Sequence, residues 1–149
     1  MADMYENGDF LRVSNLLARY VWLFDMADLD GLMGLFTPDA LFQDTAGKEY
    51  VGEPAIRGYF TELTALPAFR GRRHHLDNLW LQPDGDGYAA RCYWTVTRWR
   101  TAENAKVIES VGYSTDQFVR SPDGFRIAAR RVHHWRDDNC PWAPDGTAI

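Results

Sequence analysis

Two adjacent histidines, His74 and His75, stand midway along a chain of 149 residues, and imidazole is the side chain best suited to moving a proton near neutral pH. It works best as a base when a carboxylate fixes its tautomer and stabilises the imidazolium. Asp25 could supply that carboxylate. It closes an apolar helical run, where a negative charge opposes the helix dipole, so another reason for its presence is needed. An exposed acid in company with Asp28 and Asp30 is the competing reading. Tyr20 lies on the same helix, but five residues make about 140° of rotation, so the two side chains reach one pocket only from its flanks or where the helix end unwinds. Arg131 falls on the strand face with Phe125, Ile127, Ala129, His133 and Trp135, expected to look inward. A buried guanidinium needs a carboxylate or an anionic ligand, unless Arg131 sits at the sheet rim. Asp44, Asn78 and Tyr113 are weaker polar candidates. Trp22, Phe42, Trp80, Trp94 and Trp99 could line an apolar cavity in which a few polar groups orient a small ligand.

The elements that must carry these groups come in two blocks. Val13, Leu16, Leu17, Tyr20, Val21 and Phe24 recur at helical spacing, with Asn7 or Asp9 as the cap. A second helix fits Leu29 to Phe36 behind Asp28, ended by Thr37-Pro38-Asp39. A short strand over Ala40–Gln43 and a turn over Gly47–Gly52 follow, and Pro54 opens a third helix to about Leu63. From His74 the pattern changes to four long strands, His74–Gln82, Tyr88–Arg100, Lys106–Arg120 and Phe125–Trp135, joined by hairpin turns. Their alternation leaves one matter open: His74, Leu76, Asn78, Trp80 competes with His75, Asp77, Leu79, Leu81 for the inner face. Helices first and a meander afterwards imply an α+β fold, a curved antiparallel sheet wrapped around helices.

Composition narrows the function classes. The net charge of −5 and pI near 5.3 argue against a nucleic-acid partner. No run approaches the roughly 18 apolar residues of a membrane span, and Met1-Ala2-Asp3-Met4-Tyr5-Glu6 is acidic, unlike a signal peptide. A cytoplasmic protein with reduced Cys92 and Cys140 is the expectation. CxxC, HExxH and glycine-rich phosphate motifs are absent, so zinc, dinucleotide and P-loop chemistry lack support and neither metal nor cofactor is expected.

The stretches Leu16–Phe36 with Thr37-Pro38-Asp39-Ala40, Tyr50-Val51-Gly52 leading into Ile56-Arg57-Gly58-Tyr59-Phe60, His74-His75-Leu76-Asp77-Asn78 and Asp123-Gly124-Phe125-Arg126-Ile127 together resemble the nuclear-transport-factor-2-like superfamily, and within it the SnoaL-like branch. The resemblance covers a single domain over 1–149, with its core at about 9–137 and a tail at 138–149. It implies a cone-shaped α+β barrel, three N-terminal helices packed in a curved mixed, mainly antiparallel sheet. The likeness extends to scytalone dehydratase, bile-acid 7α-dehydratase and hexachlorocyclohexane dehydrochlorinase, which use an Asp–His dyad. By that resemblance Asp25 takes the aspartate position, His74 the histidine position with His75 one register away, Tyr20 the place of a tyrosine in the bile-acid enzyme, and Arg131 that of a pocket arginine in the dehydrochlorinase. A second histidine of scytalone dehydratase has only Tyr113 as its counterpart, and a further aspartate of the bile-acid enzyme is replaced near Thr97-Arg98.

The implied catalytic set is therefore Asp25, His74, Tyr20 and Arg131, with His75, Asn78, Trp94, Tyr113, Phe42 and Trp22 around the substrate. The implied activity is a cofactor-independent lyase or isomerase, foremost a dehydratase, acting on a small hydrophobic aromatic, polyketide or steroid-like molecule. The same fold also serves as a non-catalytic binding module, or as a structural subunit like the small subunit of ring-hydroxylating dioxygenases. A homodimer or homotrimer is expected, with no nucleic acid or membrane partner.

Overall fold

The computed structural model describes residues 8–136. Helix α1 (Asp9–Asp25) buries Val13, Leu16, Leu17, Tyr20 and Phe24, the stripe that helical spacing requires. Asp9 does not cap it. Gly8 holds the cap position, while Asp9 is buried and accepts hydrogen bonds from Arg12, Tyr88 and Arg120. Helix α2 (Leu29–Met33) does start on Asp28, whose side chain accepts from the Gly31 N–H at 2.9 Å.

That helix ends before Phe36, because Phe36 already opens strand β1 (Phe36–Gln43). Pro38 is tolerated within the strand because the pairing register shifts between Phe36 and Leu41. The expected turn contains a short strand, β2 (Glu49–Val51), before helix α3 (Glu53–Ala65), which has Pro54 in its first turn. The meander follows as β3 (Arg72–Asp84), β4 (Gly87–Arg100), β5 (Ala105–Ser121) and β6 (Gly124–His134).

The six strands form one sheet in the order β2-β1-β6-β5-β4-β3. β1 and β6 run parallel and the other neighbours antiparallel. The two ends of that order do not pair, so the sheet is a curved, open cone around the helices. Its core includes Val13, Leu32, Ile56, Phe60, Leu81, Phe118 and Ile127.

Three bulges set which residues point into the cone. One extra residue enters β3 between Asp77 and Trp80, Glu109 is inserted in β5 opposite the Val96–Thr97 step, and Ala128 is inserted in β6 opposite the Gln117–Phe118 step. A bulge adds one residue to a period of two, so each exchanges the inner and outer faces beyond it. Among the described residues no helix is long and apolar enough to cross a membrane. Cys92 is a buried free thiol; Cys140 and the tail lie outside the described residues.

Candidate active site

Asp25 sits at the last turn of α1, beside the start of β3, and grips His74 twice. Its Oδ1 lies 2.6 Å from His74 Nδ1, and its Oδ2 accepts the His74 backbone N–H at 2.9 Å. An ionised carboxylate can only accept, so the contact places the imidazole proton on Nδ1 and the lone pair on Nε2. Phe24 fixes the plane of the ring by stacking on it, with centroids 4.4 Å apart and planes 29° from parallel. The backbone contact also gives the charge at the helix C-terminus a donor, offsetting the unfavourable dipole.

His74 lines a cavity of about 210 Å³ together with Tyr20, Phe24, Phe42, Tyr59, Trp94 and Arg130. The ladder registers arrange the strands around it in layers. Ala90, Asp116 and Arg130 face one another at the closed end. Leu76, Trp94, Gly112 and His134 form a middle layer, His74, Val96 and Ser110 come next, and Arg72 pairs with Arg98 at the open end. Gly112 is what lets Trp94 lie across the wall: a Cβ there would strike the indole ring and the His133 carbonyl. The indole Nε1–H donates to the Tyr113 carbonyl at 3.0 Å.

The closed end is polar, and most of its groups are paired. Arg130, 1% exposed, donates to Asp116 at 2.7 Å. Ser114 donates to the other oxygen of Asp116 at 2.7 Å and lies 3.1 Å from Cys92 Sγ. The Arg130 guanidinium also covers the Tyr20 ring, 4.6 Å from its centroid. Burial pushes the Tyr20 hydroxyl up to about 12, so it carries its proton throughout the physiological range. Burial likewise raises Asp116 and the Cys92 thiol. It works against the charge of Arg130 too, but Asp116 outweighs it and holds the guanidinium protonated. One nitrogen of Arg130, Nε, is buried without a partner among the described residues.

The structure gathers His74, Tyr20, Phe42 and Trp94 at one cavity, with Asp25 held against His74, and disperses the rest of the expected set. His75 is exposed on the outer face, 3.0 Å from Thr97 Oγ1. Asn78 is exposed at the β3 bulge with φ of 51°, a left-handed conformation that Asn tolerates better than most residues. Tyr113 faces outward and stacks on His133 at 4.8 Å. Trp22 is 67% exposed on the far side of α1. Arg131 also lies outside, 3.7 Å from Glu49, because the Ala128 bulge turns Arg130, Val132 and His134 inward in its place. Trp80 and Trp99 are exposed, and Asp44 shapes a turn by accepting from Ala46, Lys48 and Tyr50.

Sequence reasoning missed Arg130, Asp116 and the Arg72–Glu109–Arg98 group. Strict alternation put Arg130 outside; the signal that could have reversed it is the Ala128-Ala129 pair before two arginines, small residues that suit a bulge. Among the described residues, no three His, Cys, Asp or Glu side chains gather where they could hold a metal ion.

A family model described as a SnoaL-like domain matches residues 9–131. The uncharacterized protein Rv2910c of Mycobacterium tuberculosis is 30% identical over 131 residues, covering 87% of this chain and 88% of its own. The structure of a singly substituted form of Rv3472, a protein of unknown function from the same organism, superposes with a TM-score of 0.73 at 30% identity, over 86% of this chain and 72% of that one. An NTF2-like protein with a cystatin-like fold from Novosphingobium aromaticivorans gives 0.75 at 23% identity, over 95% and 90% of the two chains. That last likeness concerns the fold.

Proposed function

The chain belongs to the SnoaL-like domain family, and on that premise we propose that it is a cofactor-independent lyase or isomerase that removes a proton from a small hydrophobic substrate, with dehydration as its foremost reaction. The observation that supports this reading is the double grip of Asp25 on His74, at 2.6 and 2.9 Å. It orients an imidazole whose Nε2 has no partner among the described residues, in the wall of a cavity lined largely by aromatic and aliphatic side chains.

In the proposed reaction Nε2 of His74 takes the proton from a carbon beside a carbonyl. Asp25 stabilises the imidazolium that forms. The C–H electron pair becomes the new carbon–carbon double bond, and the β-hydroxyl departs as water with the proton returned by the imidazolium. Tyr20, which keeps its proton below about pH 12, donates to the substrate oxygen, and the positive charge of Arg130, which lines the cavity, stabilises the developing negative charge. Returning the proton to a different carbon makes the same steps a double-bond isomerisation. Arg130 takes the role first expected of Arg131. The substrate class is aromatic, polyketide-like or steroid-like, matched to the aromatic lining. A cytoplasmic homodimer or homotrimer belongs to the same proposal, with Trp99, Ile108 and Val111, exposed on the strands, as the apolar contact.

The test is a panel of β-hydroxy ketones on aromatic and steroid-like frames, followed by the ultraviolet absorbance of the conjugated product. In parallel, ketones lacking the hydroxyl are incubated in deuterium oxide and scored for exchange at the α-carbon. Turnover or exchange that falls by roughly 10²- to 10⁴-fold in His74→Asn supports the reading. Ketones that bind yet neither eliminate nor exchange would overturn it and leave a binding pocket.

A further inference from the structure

The open end of the cavity carries a charge arrangement that the proton transfer does not use. Arg72 and Arg98 stand directly opposite one another in the β3–β4 ladder, a pairing of like charges that is unfavourable unless something intervenes. Glu109 intervenes. The β5 bulge delivers its carboxylate to both, 2.7 Å from Arg72 Nε and 2.7 Å from Arg98 Nη1. Burial opposes that charge, yet the two guanidiniums hold the Glu109 carboxyl below its ordinary range. One carboxylate between two guanidiniums leaves one positive charge over, on a chain whose net charge is −5. Arg72 spends only Nε on Glu109, and among the described residues its terminal nitrogens have no hydrogen-bond partner. Arg72, Glu109 and Ser110 line the same cavity as His74.

We propose that this open end selects substrates bearing a carboxylate, which pairs with the terminal nitrogens of Arg72 while the apolar body lies against Trp94 and Phe24. The inference rests on the cavity being the substrate site and adds the class of substrate it prefers: a small apolar acid rather than a neutral molecule. Arg72 and His74 are two residues apart on one strand face, so their Cα atoms are about 6.5 Å apart. A planar two-donor guanidinium suits a carboxylate better than a lysine ammonium would.

The experiment uses two matched probes, 2-naphthoate and 2-naphthalenemethanol, titrated calorimetrically into the full chain. Wild type is expected to bind the acid about five- to tenfold more tightly than the alcohol, a ratio that shrinks as salt is raised. In Arg72→Gln the ratio falls to about one. In Glu109→Gln, which frees both guanidiniums, it rises severalfold, a direction that a misfolded variant cannot imitate. Equal affinities in wild type, or ratios that ignore both substitutions, overturn the proposal while leaving a pocket able to bind and react. Charge selection that persists when His74→Asn leaves turnover unchanged supports the open-end reading and sinks the proton-transfer one.

Discussion

Asp25 holds His74 at the ring and at the backbone, and the two contacts have separable consequences. The backbone contact fixes where β3 begins relative to α1; the ring contact fixes which nitrogen carries the proton. Replacing Asp25 by Asn retains an oxygen for the backbone N–H while removing the charge that favours imidazolium. The expected outcome is a kcat reduced by roughly 10²- to 10⁴-fold with substrate affinity little changed. The deshielded Nδ1 proton in the NMR spectrum should also disappear. A kcat within about threefold of wild type would show that the carboxylate only anchors the strand. Tyr20 is a smaller test of the same site. Tyr20→Phe removes one hydrogen-bond donor and should lower kcat by roughly ten- to a hundredfold, measured on whichever ketone the wild type turns over.

At the scale of elements, the site depends on where the strands stop alternating. Trp94 can lie across the middle layer only because Gly112 opposite has no side chain. Gly112→Ala forces the ring and the neighbouring β6 backbone to move and should cost about 1–3 kcal/mol, read from urea unfolding. Naphthalene-type ligands should bind less tightly to the variant, since Trp94 is part of the wall they contact. The same features decide what was legible in the sequence. Helix spacing, the Asp28 cap, Pro54 and the hairpin turns located the elements, because each acts within a few residues. The two competing alternations on β3 both hold, one on each side of its bulge: His74 and Leu76 face inward before it, Leu79 and Leu81 after it. On β6 the corresponding bulge went unread, so Arg131 was expected where Arg130 stands. A one-residue insertion barely changes local hydropathy, and apart from the small Ala128-Ala129 pair it shows itself in the cross-strand register. Asp25 and His74 were within reach of the resemblance; the buried Arg130–Asp116 pair and the Arg72–Glu109–Arg98 group depend on which strands are neighbours.

For the whole molecule, the end of the cone away from the cavity mouth depends on one buried acid. Asp9, 1% exposed, joins the start of α1 to β4 through Tyr88 at 3.0 Å and to β5 through Arg120 at 2.8 Å, with Arg12 at 2.9 Å on its own helix. Burial pushes its carboxyl upward, but Arg120, Arg12 and Tyr88 together outweigh that and hold it below the ordinary aspartate value of 3.8. A carboxyl depressed in the folded state contributes stability that is complete above the unfolded pKa and drains away as pH falls through the folded one. Asp9→Asn should therefore cost about 1–3 kcal/mol at pH 7, toward the lower end because Arg12 and Arg120 retain access to water that screens them. The gap between wild type and variant should stay constant from about pH 7 to pH 5 and narrow below about pH 4, where the unfolded wild-type chain takes up a proton that the folded one still refuses. Urea unfolding of both proteins across that range measures it directly. A gap that persists undiminished at the acid end would mean that the shape of the side chain, rather than its charge, holds helix and sheet together. The cavity is lined by other residues, so ligand affinity at pH 7 should be the same in both proteins, separating the stability of the cone from binding at its mouth.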